Sequence, residues 1–162
     1  MARDQIERDA KKTTRRLAQE TRDAGVGETV VRLIRARTRR GVSVRERRFA
    51  PYARSTARRK GRHQPVTLRD SGDMLSSLHA RPPRRAAEQT FKIGLAEVTF
   101  RSRRMEKRAR YHLEGTRHMP RRDFFGLTTR QSRILRDELE LIQRRTIPPD
   151  RRRRTKIQLI DA

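Results

Sequence analysis

The chain has 162 residues, with 44 Lys and Arg against 19 Asp and Glu, a formal net charge of +25. Hydrophobic residues make up 32% and Cys is absent, which excludes a disulfide framework, a thiolate nucleophile and a cysteine zinc site. The length allows one domain with a modest core, yet apolar content stays below the roughly 45–50% of an ordinary globular chain. Neighbours are therefore expected to supply part of the stability, and anionic partners to screen a charge that otherwise repels itself. Arg dominates the basic set and suits bidentate pairing with phosphate or carboxylate. The opening MARDQIERDAKK lacks the apolar stretch of a signal peptide, and nowhere do about 18 apolar residues run together, so no membrane span is expected.

Residues 2–23 contain neither Gly nor Pro, and Ile6, Ala10, Thr13 and Leu17 form a thin apolar stripe at helical spacing. Gly25 and Gly27 break this helix. A second runs from about Glu28 to Arg40, with Val30, Val31, Leu33 and Ile34 inward and Gly41 as its stop. Residues 41–69 read as loop, with a short helical piece around Ser55 to Lys60. Asp70 or Ser71 is placed to cap a short helix whose Met74, Leu75 and Leu78 share a face, and Arg81-Pro82-Pro83 breaks the chain.

Thr90 to Phe100 alternates as a strand, but its apolar phase slips from odd to even numbers, which predicts a bulge or tight turn near Gly94–Glu97. Arg101 to Arg110 is expected to be a charged loop, and Tyr111 to Leu113 the start of a second strand ending at Gly115. Phe124-Phe125-Gly126-Leu127 is the densest apolar patch. Thr128 with Gln131 forms a capping-box pattern opening a helix to about Arg145, with Leu135, Leu139 and Ile142 on one stripe. Pro148-Pro149 ends it, and residues 146–162 read as a basic tail. The expected fold class is α+β, a small antiparallel sheet packed with helices, with a long N-terminal helix and an extended basic C-terminal tail. The division is an N-terminal helical arm at 1–27, a body at 28–145 and a C-terminal extension at 146–162.

Candidate chemistry is sparse. His112 and His118 do not have the helical HExxH spacing of zinc proteases, and Ser71, Asp73 and His79 lack a nucleophile elbow. Glu138 and Glu140 sit among arginines on a polar helix face. No catalytic, cofactor-binding or metal-ligating residue is assigned, no cofactor is expected, and the chain is read as a non-enzyme. The prominent signal is six basic runs: Arg15-Arg16, Arg35 to Arg40, Arg45 to Arg48, Arg58 to Arg62, Arg101 to Arg110 and Arg151 to Arg154. They fit a surface wrapped by polyanion or by acidic subunits. Candidate contacts to DNA or an acidic partner are Arg103, Arg104, Lys107, Arg108, Arg151, Arg152, Arg153 and Arg154. Contact with DNA is expected to be to phosphate and independent of sequence.

Three blocks resemble the tailed-phage virion-morphogenesis or tail-completion family, the head–tail joining proteins of the neck. They are GVSVRERRFAPYARSTARRKG (Gly41 to Gly61), LRDSGDMLSSL (Leu68 to Leu78) and YHLEGTRHMPRRDFFGLT (Tyr111 to Thr128). The resemblance covers about residues 28–145; an extra basic residue after Arg121 departs from the family pattern. It implies that Ser71, Gly72, Leu75, Tyr111, Gly115, Pro120, Arg121, Phe124 and Phe125 serve structure or interface. It also implies a structural subunit of a ring, commonly six-fold, between the head-side connector or stopper and the tail terminator or tube. DNA would pass through the lumen, and the protein would reside in the virion after assembly in the host cytoplasm. The competing expectation is a small basic, sequence-independent nucleic-acid-binding protein.

Overall fold

A computed structural model of the chain describes residues 2–60, 66–68, 71–81, 91–93 and 96–147. Helix α1 (Ala2–Asp23) buries Leu17, and the Thr21 hydroxyl donates to the Leu17 carbonyl at 2.8 Å. The side chains of Ile6 and Ala10, the first half of the expected stripe, lie outside the described residues. The chain turns at Gly25, whose φ of +64° suits glycine best, and α2 (Val26–Arg39) follows. Val26, Val30 and Ile34 recur at four-residue spacing and are fully buried, so this is the central helix of the core. It stops at Gly41, where φ is +74° and the amide donates to the Thr38 carbonyl at 2.9 Å.

A short α3 (Arg54–Lys60) and a single turn α4 (Asp73–Ser76) precede the sheet. Strands β1 (Leu78–Arg81), β2 (Phe91–Ile93) and β3 (Ala96–Phe100) are antiparallel in the order β1-β3-β2. Leu78 pairs with Phe100 and Ala80 with Val98 on one side of β3; Phe91 pairs with Val98 and Ile93 with Ala96 on the other. The odd- and even-numbered apolar phases thus belong to two antiparallel strands, β2 and β3; Gly94 and Leu95, where a bulge or tight turn is expected, lie outside the described residues. Helix α2 lies against β1 and β3, α5 (Arg103–Glu114) packs on β3, and α6 (Thr129–Thr146) runs beside α1. Val98, Phe100, Ala109, Phe124, Leu135 and Leu139 complete the core that α2 starts. The architecture is α+β.

Several sequence expectations are corrected. Gly27 does not break the chain but lies buried in the first turn of α2. Arg101 to Arg110 is not a loop, nor Tyr111 to Leu113 a strand: α5 covers most of both. Ser102 caps this helix by accepting the Met105 amide, no Gly or Pro interrupts it, and Met105, Ala109 and Leu113 recur every four residues toward the core. Gly115, with φ of +80°, ends it. Leu78 does not belong to the short helix with Met74 and Leu75; it opens β1, where it is buried opposite Phe100.

Candidate functional site

Two separated stretches, residues 41–61 and 111–128, meet at Arg122. Its Nε donates to the Ala50 carbonyl at 3.2 Å and its Nη2 to the Pro51 carbonyl at 2.9 Å. Its guanidinium stacks 5.5 Å from the centre of the Tyr52 ring, over which Lys60 also lies at 5.1 Å. The Arg122 amide donates to the His112 carbonyl at 2.6 Å, and the Val44 amide to the Asp123 carbonyl at 2.8 Å. Burial lowers the Arg122 pKa, and the Tyr52 phenol works against that shift. One side chain therefore ties residues 50–52 to the segment that follows α5.

Two further arginines act in the same way from α2. Arg35 donates from Nε to the Leu75 carbonyl (2.9 Å) and from Nη2 to those of Ser76 (3.0 Å) and Leu78 (2.6 Å), fixing the turn from α4 into β1. Arg37 is 2% exposed; it donates from Nη2 to the Phe124 and Gly126 carbonyls at 2.7 and 2.8 Å, and from Nη1 to Gln131 Oε1 at 2.9 Å. Burial first, then Arg40, lowers its pKa to about 10, against a smaller opposing effect of Glu46. At neutral pH it is a buried cation whose charge is met by carbonyl dipoles.

An open cleft of about 210 Å³ lies beside Arg122, lined by Tyr52, Lys60, Leu68, His112 and Met119 among others. A second, of about 310 Å³, is lined by Ser71, Gly72, Arg108, Tyr111 and again Leu68, His112 and Met119. His112 stands between the two, edge-on to the Phe124 ring at 6.4 Å. Its Nδ1 is buried without a hydrogen-bond partner among the described residues. Desolvation, then Arg122 and Lys60, push its pKa down to about 4, so the imidazole is neutral at pH 7.

The residues expected from sequence fall into distinct places. Leu75 and Phe124 are core, and Phe125 packs between Phe100 and Phe124 at 5.5 and 6.2 Å. Gly72, with φ of +92°, precedes α4, whose first residue Asp73 accepts a bond from the Ser71 hydroxyl at 2.6 Å. The cap expected from Asp70 or Ser71 is thus a glycine N-cap; Asp70 lies outside the described residues. A Cβ on Gly115 would come within 3.1 Å of the Arg121 amide nitrogen, so the chain folds back tightly there. Pro120 lines the first cleft. Arg121 is exposed and pairs with Asp123 at 3.1 Å, whereas its neighbour Arg122 is the buried one.

Tyr111 is 41% exposed on α5, with Lys107 above its ring at 5.9 Å. Arg103, Arg104 and Arg108 are exposed on the same helix; of the expected tail, Thr146 ends α6 and Ile147 is buried, while Arg151 to Arg154 and everything from Pro148 on lie outside the described residues. Sequence reasoning did not single out Arg35, Arg37 or Arg122, because an arginine that binds carbonyls is written with the same letter as one facing water. Among the described residues no group of three or more His, Asp or Glu forms a candidate metal site, and no helix is long and apolar enough to cross a membrane. No family model, curated protein or solved structure matches the chain.

Proposed function

We propose that the chain is a structural subunit of a tailed-phage neck, a tail-completion or head–tail joining protein that assembles with copies of itself into a ring through which DNA passes. One observation carries the reading. Two of the three segments that resemble that family, Gly41 to Gly61 and Tyr111 to Thr128, up to about seventy residues apart, close on one another through Arg122, Tyr52, Val44 and Asp123, and the third lines a cleft with Tyr111 and His112. Segments that pack together form a unit that can be inherited as one, which makes a shared resemblance more telling than separate short matches.

The outer face of α6 supplies a surface for a neighbour. Ile134 is 59% exposed and Leu141 53%, seven residues apart and so on the same side of the helix. An apolar pair left in water on a chain with so little apolar content is where a second subunit would bury surface. Subunits meeting head to tail through unlike faces close into a ring when the rotation allows.

Native mass spectrometry and electron microscopy of the purified chain, and of tailed particles carrying it, test the reading. The expected result is a closed ring, located at the head–tail junction and dispersed to subunits by Ile134→Glu with Leu141→Glu. A monodisperse monomer found only on cellular chromosomes or ribosomes overturns it in favour of a small nucleic-acid-binding protein.

A further inference from the structure

The helical course of residues 103–114 has a consequence for charge. At 100° per residue, Arg104, Lys107, Arg108 and Tyr111 fall on one side of α5, while Met105, Ala109 and Leu113 face the core. Arg104, Lys107, Arg108 and Tyr111 are all exposed. Other arginines are held by the protein itself: Arg35, Arg37 and Arg122 by carbonyls, Arg45 and Arg121 by Asp123, Arg81 by Glu97. Arg104 and Arg108 have no hydrogen bond or ion pair among the described residues, and Lys107 has only the Tyr111 ring.

We infer that this outward stripe of α5 is a docking surface for the phosphate backbone of duplex nucleic acid. A helix places residues four apart about 6 Å from one another along its axis, so Arg104, Lys107 and Arg108 cluster on one side of a convex rod that can lie along a strand. The stripe lacks what a protein partner would need. It has no aliphatic anchor, and its one aromatic is capped by Lys107, whereas protein interfaces are built on apolar or aromatic residues filling pockets. Arginine is the side chain that meets phosphate bidentately. Nothing on the stripe reads bases, so binding is independent of sequence and driven by counterion release. The inference does not depend on ring formation.

The test is fluorescence anisotropy of the full chain titrated into a labelled mixed-sequence duplex at several salt concentrations. Arg104→Gln with Lys107→Gln and Arg108→Gln is compared with Arg130→Gln, Arg133→Gln and Arg136→Gln, which removes the same formal charge from exposed positions of α6. The α5 variant is expected to bind about tenfold or more weakly at low salt, and to flatten the slope of log K against log salt by about 2–3. Arg104→Gln alone should flatten it by about one, and the α6 variant by less than that. Equal losses in both triple variants overturn the inference, because the duplex is then held by the net charge rather than by this face. Absence of duplex binding by the unaltered chain overturns it too. So does polyglutamate binding as tight as duplex binding and lost in the α5 variant, which would assign the stripe to an acidic protein.

Discussion

Arg37 on α2 and Thr128 at the start of α6 share one acceptor, Gln131 Oε1, which receives the guanidinium at 2.9 Å and the Thr128 amide at 3.0 Å. The capping box is thereby joined to the core: the Gln131 amide donates to the Thr128 hydroxyl at 3.3 Å, and the Gln131 side chain reaches back to both the cap and the buried cation. The carbonyls of Phe124 and Gly126 complete the socket, so a single side chain orders the entry to α6 and holds Phe124 in place.

Replacing Arg37 by Met should lower stability by about 3 kcal/mol, because the buried Phe124 and Gly126 carbonyls lose their donor and Gln131 Oε1 keeps only the Thr128 amide. Lys at this position keeps the charge but not the fork, and should recover about half of that loss. Urea denaturation measures both. A Met variant as stable as the unaltered chain would refute the role given to the clamp.

Arg122 and Tyr52 should be energetically coupled. A double-mutant cycle with Arg122→Leu and Tyr52→Leu is expected to give a coupling of roughly 0.5–1 kcal/mol, the range of a partly desolvated cation on an aromatic face. Additive losses would mean that the carbonyl bonds to Ala50 and Pro51 act without help from the ring.

His112 predicts an acid-sensitive junction. Its folded pKa of about 4 lies below the ordinary 6.5, so the unfolded chain takes up the proton first. The stability linked to this group is complete above pH 6.5, falls as pH drops toward 4, and is lost below that. Between those limits the unaltered chain should lose about 1–3 kcal/mol more than His112→Phe, which keeps the ring beside Phe124 but cannot titrate. Thermal melts of both proteins across the range check this; parallel curves would rule it out.

Two glycines separate backbone strain from crowding. Both have positive φ, +64° at Gly25 and +74° at Gly41, but a Cβ at Gly25 meets open space while one at Gly41 would stand 2.9 Å from the Val66 carbonyl oxygen. Gly25→Ala should cost about 1 kcal/mol from conformation alone. Gly41→Ala should cost at least twice as much, since the Val66 backbone must shift as well. Melting temperatures of the two variants give the comparison directly.

The elements that sequence made legible are those with strong local signals. Gly25 and Gly41 bound α2, Thr128 and Gln131 open α6, and the odd-to-even slip after Ile93 marks the reversal into β3. Helix α5 reads as a loop from its charge, although the four-residue spacing of Met105, Ala109 and Leu113 between Ser102 and Gly115 is a helical signal. Leu78 carries no such signal: apolar residues on a helix turn and on the first position of a strand look alike over so short a span. At the junction the segments were visible but their bolt was not. Arg122 stood out in sequence only as an extra basic residue, and the fold alone shows it turned inward while Arg121 stays outside.

The reach of Arg37 also sets an order of events during synthesis. Ribosomes extend a chain from its amino end at about 5–20 residues per second, and Gln131 follows Arg37 by 94 positions. For roughly five to twenty seconds a nascent α2 therefore carries a cation whose acceptors do not yet exist. Docking that helix dry in the meantime would strand the charge, so the fold closes late, once the Phe124 segment has emerged to receive it.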